Sequence, residues 1–389
     1  MKIAIVNTYS TGSTGTIASL IGEGALNCGH SVRLFYGREK QNDSKWEFIG
    51  EKKMPLLFSN AMSYFTGKIG SFHYSSTTRL INELQKFQPD VIHLHNIHGN
   101  YLNFKRLFAF LKEFNGKIVI TLHDEFLLTG RCALCFCDKW KQGCSKCKFL
   151  KAYPHAMIDK SSELHKEKTE LLKSLKNVEI VTPSKWLGSL VDESKINFLK
   201  HKCIYNGLNE PVLKDFALDN IIEKDKTNIL FSAYTWSIDK GALIIKELSQ
   251  KLDMSKYNII VVGYDNYCSK WFDFECKKVG HLERKQMLFL LKNVDVFVNP
   301  TFKDNLPTIL IESLQVGTPA ITFDTGGCSE LIDNKCGMVL STKTSDSLLE
   351  AINSFKKENY DKQYFKTKAN LFSVENMVNE YMLIYKERS

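Results

Sequence analysis

A chain of 389 residues exceeds one ordinary hydrophobic core, so two domains are expected. With 43% hydrophobic and 24% charged residues it has the composition of a folded globular protein, which excludes disorder. The net charge of +9 points to anionic partners such as nucleotides, lipid head groups or nucleic acid, without choosing among them.

Met1-Lys2 runs directly into IAIVN (3–7), leaving no room for a secretory h-region. That first strand-like run is followed by TYSTGSTGTIASLIGEGA (8–25), which sets Gly12, Gly15 and several hydroxyls before a helix over Ile17–Asn27. Such a loop either cradles an anion on backbone N–H groups or is a plain turn; it is neither a P-loop nor a GxGxxG fingerprint. SVRLFY (31–36) is the next strand. The longest uncharged stretch, Met54–Gly67, is too short and polar to span a bilayer, and the expectation is a cytoplasmic protein.

VIHLHN (91–96) and IVITLHD (118–124) are continuous apolar runs, the pattern of parallel strands covered on both faces. Five of the eleven cysteines then crowd into CALCFCDKWKQGCSKC (132–147), where only Cys144 and Cys147 have the C-x2-C spacing of many zinc sites. In a reducing compartment three readings stand: a structural zinc, reduced thiols, or a redox pair. Ten lysines lie between Lys139 and Lys176 against four acids, either a solvated face or one that meets an anionic membrane. A helix over Glu163–Lys176 and the strand VEIVTPS (178–184) close this series.

The strand pattern lapses over 206–227, the expected linker, and resumes with ILFSAY (229–234), IIVVGY (259–264), VDVFVNP (294–300) and PAITFDT (319–325). Helices are expected over Ala242–Leu252 and Glu283–Leu291. The fold class is α/β: two Rossmann-like, doubly wound domains facing a cleft, with one large mixed sheet as the alternative. The boundaries are 1–205, 206–370, and a C-terminal helix at 371–389 crossing back to the first domain. Ligands of such sheets sit at the carboxyl ends of strands.

In DNLPTILIESLQVGTPA (304–320) Pro307 disfavours helix at Leu306, so the helix starts near Pro307 and ends at Gly317. Asp304 then stays in the loop while Glu312 falls on the second turn. Two carboxylates so placed can face one ligand and accept from sugar hydroxyls.

NPTFKDNLPTILIESLQVGTPAITFDTGGCSELI resembles the donor-site signature of retaining GT-B glycosyltransferases of family 4, the group 1 transferases. STGTIASLIGEGALNCGHSVRLFYGRE, VIHLHNIHGNYLN, TLHDEFLLTGRCA, KWKQGCSKC, VTPSKWL and YNGL resemble the same family in the same order, in particular the branch found in bacterial surface-polysaccharide gene clusters. The resemblance implies the GT-B fold and a nucleotide-diphosphate sugar, UDP- or GDP-linked, held mostly by the C-terminal domain. It assigns Glu312 to the ribose hydroxyls and Asp304 to the donor sugar. The backbone of Asn305-Leu306 and Gly326-Gly327 falls beside sugar and phosphates. Lys240 falls on the diphosphate, but Asp239 stands where this branch often has an Arg; Lys185 is a replacement on spacing alone. His123 touches the donor sugar, or is simply a buried strand-end histidine. Cys132, Cys137, Cys144 and Cys147 match cysteines of the branch, and Cys135 does not.

The function implied is transfer of a sugar with retention to a growing surface glycan on a lipid-linked acceptor, with no catalytic metal. The rivals are a GT-B nucleotide-sugar epimerase and a zinc-stapled nucleic-acid binder. The basic segment lacks the interleaved aromatics of a base-stacking surface, which argues against nucleic acid.

Overall fold

The computed structural model describes residues 1–40, 44–135, 137–151, 153–218 and 220–387. Asp219 of the expected linker and Arg388-Ser389 of the expected C-terminal helix lie outside these residues. Two compact units form, one from Met1–Gly207 with Val374–Ser389 and one from Leu208–Ser373.

The first unit is built on a seven-stranded parallel sheet in the order β3-β2-β1-β4-β5-β6-β7. Its strands are β1 (Lys2–Asn7), β2 (Ser31–Tyr36), β3 (Trp46–Phe48), β4 (Val91–Leu94), β5 (Lys117–Thr121), β6 (Val178–Thr182) and β7 (His201–Cys203). The second carries a six-stranded parallel sheet, β10-β9-β8-β11-β12-β13. Here the strands are β8 (Thr227–Ser232), β9 (Tyr257–Val262), β10 (Lys277–Val279), β11 (Val296–Asn299), β12 (Ala320–Phe323) and β13 (Gly337–Leu340). Both sheets are α/β and doubly wound, as expected. Central strands are sealed: Ile3, Ala4, Ile5 and Val6 of β1, and Ile229, Leu230 and Phe231 of β8, have no exposed surface. Continuous rather than alternating apolar residues are what burial on both faces demands.

The helix Val374–Lys386 belongs to the first unit although it is last in the chain. Its buried stripe of Met377, Val378, Tyr381, Met382 and Tyr385 packs on the helix Gly12–Asn27. The hydroxyl of Tyr385 lies 2.6 Å from Nδ1 of buried His93 on β4, and that of Tyr381 lies 2.8 Å from Thr121 Oγ1 at the end of β5. The crossing helix therefore both covers apolar surface and satisfies buried polar atoms of the sheet.

Close approach of the two helices rests on Gly24, where a Cβ would fall 2.3 Å from a Val378 methyl. Gly24→Ala gains about 1 kcal/mol of helix propensity, but overpacking costs about 1–3 kcal/mol. A net loss in urea or thermal unfolding is expected. In a Val378→Ala background the same exchange should become stabilising; simple additivity of the two changes would contradict this packing account.

Candidate functional site

In the second unit three loops leave the carboxyl ends of β8, β11 and β12 and are tied together by hydrogen bonds. Phe302 N donates to Asp239 O at 2.8 Å, Thr325 Oγ1 to Thr301 O at 2.9 Å, and Gly327 N to Asn305 O at 2.7 Å. Lys240, on the loop after β8, places Nζ 2.7 Å from Asp304 Oδ2 on the loop after β11. Gly326 has φ +57°, and a Cβ there would fall 1.8 Å from Asp304 O. Only glycine fits. Lys240, Asp304, Asn305, Leu306, Gly326 and Gly327 are thus brought together by the backbone. Electrostatically, Lys240, Lys343 and Asp304 all act on the Cys328 thiol, which burial pushes up to about 12.

The helix Thr308–Val316 begins directly after Pro307 and ends at Gly317, φ +75°. Glu312 sits on it with its side chain 12% exposed, and Oε1 accepts from Arg284 Nε at 2.7 Å. Arg284 opens the helix Arg284–Asn293 and also reaches Gln315 Oε1. Each acid of the 304–320 motif therefore carries its own cation, Asp304 with Lys240 and Glu312 with Arg284. No spacing rule links positions 28 apart, so Arg284 left no signal in the sequence.

The first unit gathers a second polar cluster at the ends of β1, β4 and β5. Thr8 Oγ1 donates to the carbonyls of Asn96 and His98, tying the loop after β1 to the loop after β4. His95 Nδ1 and His123 Nε2 are 2.8 Å apart with stacked rings, and His98 Nε2 is 2.5 Å from Asp124 Oδ2. Burial lowers His123 to about 4 and His93 to about 3, and drives His95 down as well. All three rings are neutral near pH 7 and act as hydrogen-bonding groups rather than cations. His95 was not singled out in the sequence, although the His-x-His period of two puts His93 and His95 on one face of the β4 segment.

Gly12 begins the helix Gly12–Asn27 with φ +75° and open space beside it. Gly15 instead meets its own loop: a Cβ would lie 2.7 Å from Ser10 C. A side chain at this position would collide with the loop's own backbone. Lys185 is exposed at the first turn of the helix Lys185–Glu193, after β6 of the first unit, whereas Lys240 belongs to the second.

Cys132, Cys135, Cys137, Cys144 and Cys147 wall one cavity of about 290 Å³. Sγ atoms of Cys135 and Cys137 are 3.9 Å apart, and the Cys135 hydrogen bond holds Cys132 below an ordinary thiol. This donor set suits a thiophilic cation. Among the described residues, however, no three or more His, Cys, Asp or Glu stand as a metal cage. The lysine run 139–176 does not form a single basic face. Lys168 is buried, with Nζ donating to Phe126 O and its pKa lowered by burial to about 7. Lys141, Lys160 and Lys173 pair with Glu193, Glu163 and Glu170.

Residues 215–371 match the family described as "Glycosyl transferases group 1", a span that contains the three loops and Glu312. The second unit carries a group 1 glycosyltransferase domain. The chain is 24% identical over 323 residues to WcaC of Escherichia coli (strain K12), named as a colanic acid biosynthesis glycosyl transferase, covering 77% of this chain and 76% of that one. It is also 24% identical over 187 residues to the N,N'-diacetylbacillosaminyl-diphospho-undecaprenol alpha-1,3-N-acetylgalactosaminyltransferase of Campylobacter jejuni, covering 42% and 49% of the two chains. The fold is GT-B. Anabaena Alr3699/HepE, solved in complex with UDP-glucose, superposes with a TM-score of 0.67 at 12% identity, covering 98% of each chain.

Burial raises the Glu312 carboxyl above its ordinary value, and Arg284 offsets part of that rise. Folding then favours protonated Glu312. The stability this confers is complete below the unfolded pKa of about 4.3 and is lost as pH rises through the higher folded value. Glu312→Gln should remove that loss, so the variant without ligand should melt no lower than the parent near pH 7. A clearly lower melting temperature would mean that the Arg284 pair outweighs the cost of burying the carboxylate.

Proposed function

We infer that this chain is a group 1 glycosyltransferase that transfers a sugar, with retention at the anomeric carbon as in family 4, from a UDP- or GDP-linked donor to a glycan acceptor. The acceptor in this reading is a lipid-linked intermediate of capsule, exopolysaccharide or O-antigen synthesis. The names of the Escherichia coli and Campylobacter relatives support a surface glycan and a diphospho-undecaprenol acceptor. The UDP-glucose complex of the Anabaena protein supports the donor class. The enzyme then works in the cytoplasm, at the inner face of the plasma membrane, with basic residues of 139–176 toward the lipid. The observation that carries the reading is the stitched cluster of Lys240, Asp304, Gly326 and Gly327 with Glu312 following on the next helix.

Glu312 binds the ribose hydroxyls through its carboxyl oxygens, one of which accepts from Arg284. Asn305, Leu306, Gly326 and Gly327 offer backbone to the sugar and phosphates. Departure of the nucleoside diphosphate develops negative charge on phosphate oxygens, which Lys240 and nearby helix N-termini stabilise. Lys185, and the loop with Gly12 and Gly15, supply further contacts on the side of the first unit. Neutral His123, its tautomer tied to that of His95, hydrogen-bonds the donor sugar. Asp304 orients that sugar and releases Lys240 to the diphosphate as the donor enters.

This exchange of partners sets the test. Asp304→Asn frees Lys240, so nucleoside diphosphate should bind as tightly as in the parent or more tightly, while turnover of the sugar nucleotide falls. Glu312→Gln loses a charge-assisted bond worth roughly 1.5–3 kcal/mol, an affinity loss of about 10- to 100-fold for nucleoside and nucleotide alike. Calorimetry with nucleoside, nucleoside diphosphate and sugar nucleotide checks both. Unchanged nucleoside affinity in Glu312→Gln would remove the donor from this site.

The zinc of Cys132, Cys137, Cys144 and Cys147 stands in this reading as a proposal about stability, not chemistry. The shared cavity of thiols supports it. Protein purified without chelator should carry about one zinc per chain, as in other four-cysteine sites, and should melt lower once the metal is stripped. Metal-free protein of undiminished stability would reject it.

A further inference from the structure

The helix Lys53–Thr66, KMPLLFSNAMSYFT, is inside out. Its buried residues are Ser59 and Ser63, and inward-lying Asn60 meets Arg38. Met54, Leu57, Phe58, Tyr64 and Phe65 face solvent, with Phe58 67% and Met54 74% exposed. Positions 54, 57, 58, 61, 64 and 65 are one helical stripe at i, i+3, i+4 spacing, running about 16 Å. The segment 157–158 extends it: Met157 N donates to Tyr64 O at 2.8 Å, and Met157 and Ile158 are 62% and 50% exposed.

Charge selects what covers this stripe. Lys52, Lys53 and Lys68 flank the helix, and no Asp or Glu occurs from 52 to 68. Exposed Lys146, Lys148 and Lys151 precede the 153–158 segment, which His155 Nδ1 ties back to Lys151 O at 2.6 Å. From 145 to 158 there is again no acid. A second copy of this chain would bring the same positive rim against itself. Glu163, 4.0 Å from Lys68, and Asp159 after Ile158 stand at one end of the patch, but its border is mainly cationic. That matches an interfacial helix, whose apolar face enters the boundary between head groups and acyl chains while its lysines meet lipid phosphates.

We propose that the helix Lys53–Thr66, with Met157 and Ile158, is a docking face for an anionic lipid surface. It shares the membrane with the proposed function but stands on residues outside the donor site and outside most of the 139–176 run. Vesicle binding needs neither donor nor acceptor, so its failure would leave the transferase reading intact, and failure of donor binding would leave this face intact.

The test is co-sedimentation of the full chain with vesicles of equal parts phosphatidylglycerol and phosphatidylcholine, against phosphatidylcholine alone. Wild type should bind the anionic vesicles and not the neutral ones. The Leu57→Ser, Phe58→Ser, Phe65→Ser variant changes only exposed side chains and should keep its melting temperature, yet bind more than about tenfold more weakly. Lys52→Glu with Lys53→Glu should weaken binding and make what remains less sensitive to salt. No vesicle binding by wild type, equal binding to neutral vesicles, or undiminished binding by the triple serine variant would overturn the proposal. So would a concentration-dependent dimer that the triple variant abolishes, which would assign the face to a second copy.

Discussion

Parallel strands must be covered on both faces, and that constraint decides where chemistry can occur in this protein. With helices sealing each sheet, the central strands carry almost nothing but apolar residues, and polar groups gather where those strands stop. Lys240, Asp304 and Gly326 reach one another because β8, β11 and β12 are neighbours whose loops emerge at the same end. Thr8, His95 and His123 meet for the same reason at the ends of β1, β4 and β5.

The two clusters differ in charge. The cluster of the second unit holds ion pairs, Asp304 with Lys240 and Glu312 with Arg284, so an anion arriving there competes with a carboxylate already in place. The histidine cluster is buried and neutral, and its order comes from hydrogen bonds and stacked rings. Opposite charges hold the first cluster together in the absence of ligand; in the second, His98 lies 2.5 Å from the Asp124 carboxylate.

Elements with a long buried run were legible in the sequence. SVRLFY became β2 without adjustment, and Pro307 and Gly317 bounded their helix to within a residue. Short edge strands such as Trp46–Phe48, His201–Cys203 and Lys277–Val279 were missed, because three residues show no period. At the site, a motif could identify Glu312 but not its partner Arg284, which folding alone brings near. Gly15 also has a use the motif did not reveal, since a Cβ there would fall 2.7 Å from Ser10 C. The helix Lys53–Thr66 shows a third limit. Periodicity tells which residues share a face but not whether that face turns in or out.

The return of Val374–Lys386 to the first unit has a consequence for synthesis. Domains generally form in order as a chain emerges from the ribosome. Here the unit encoded first cannot be finished first, since Tyr381 and Tyr385, which bond Thr121 and His93, are made only after the whole of the second unit. The second unit, contiguous from Leu208 to Ser373, can complete itself while its predecessor still presents the bare flank of Gly12–Asn27 to solvent. During that interval the nascent chain exposes an apolar groove that chaperones and proteases can read. A translation product ending before Val374 would keep that groove open permanently.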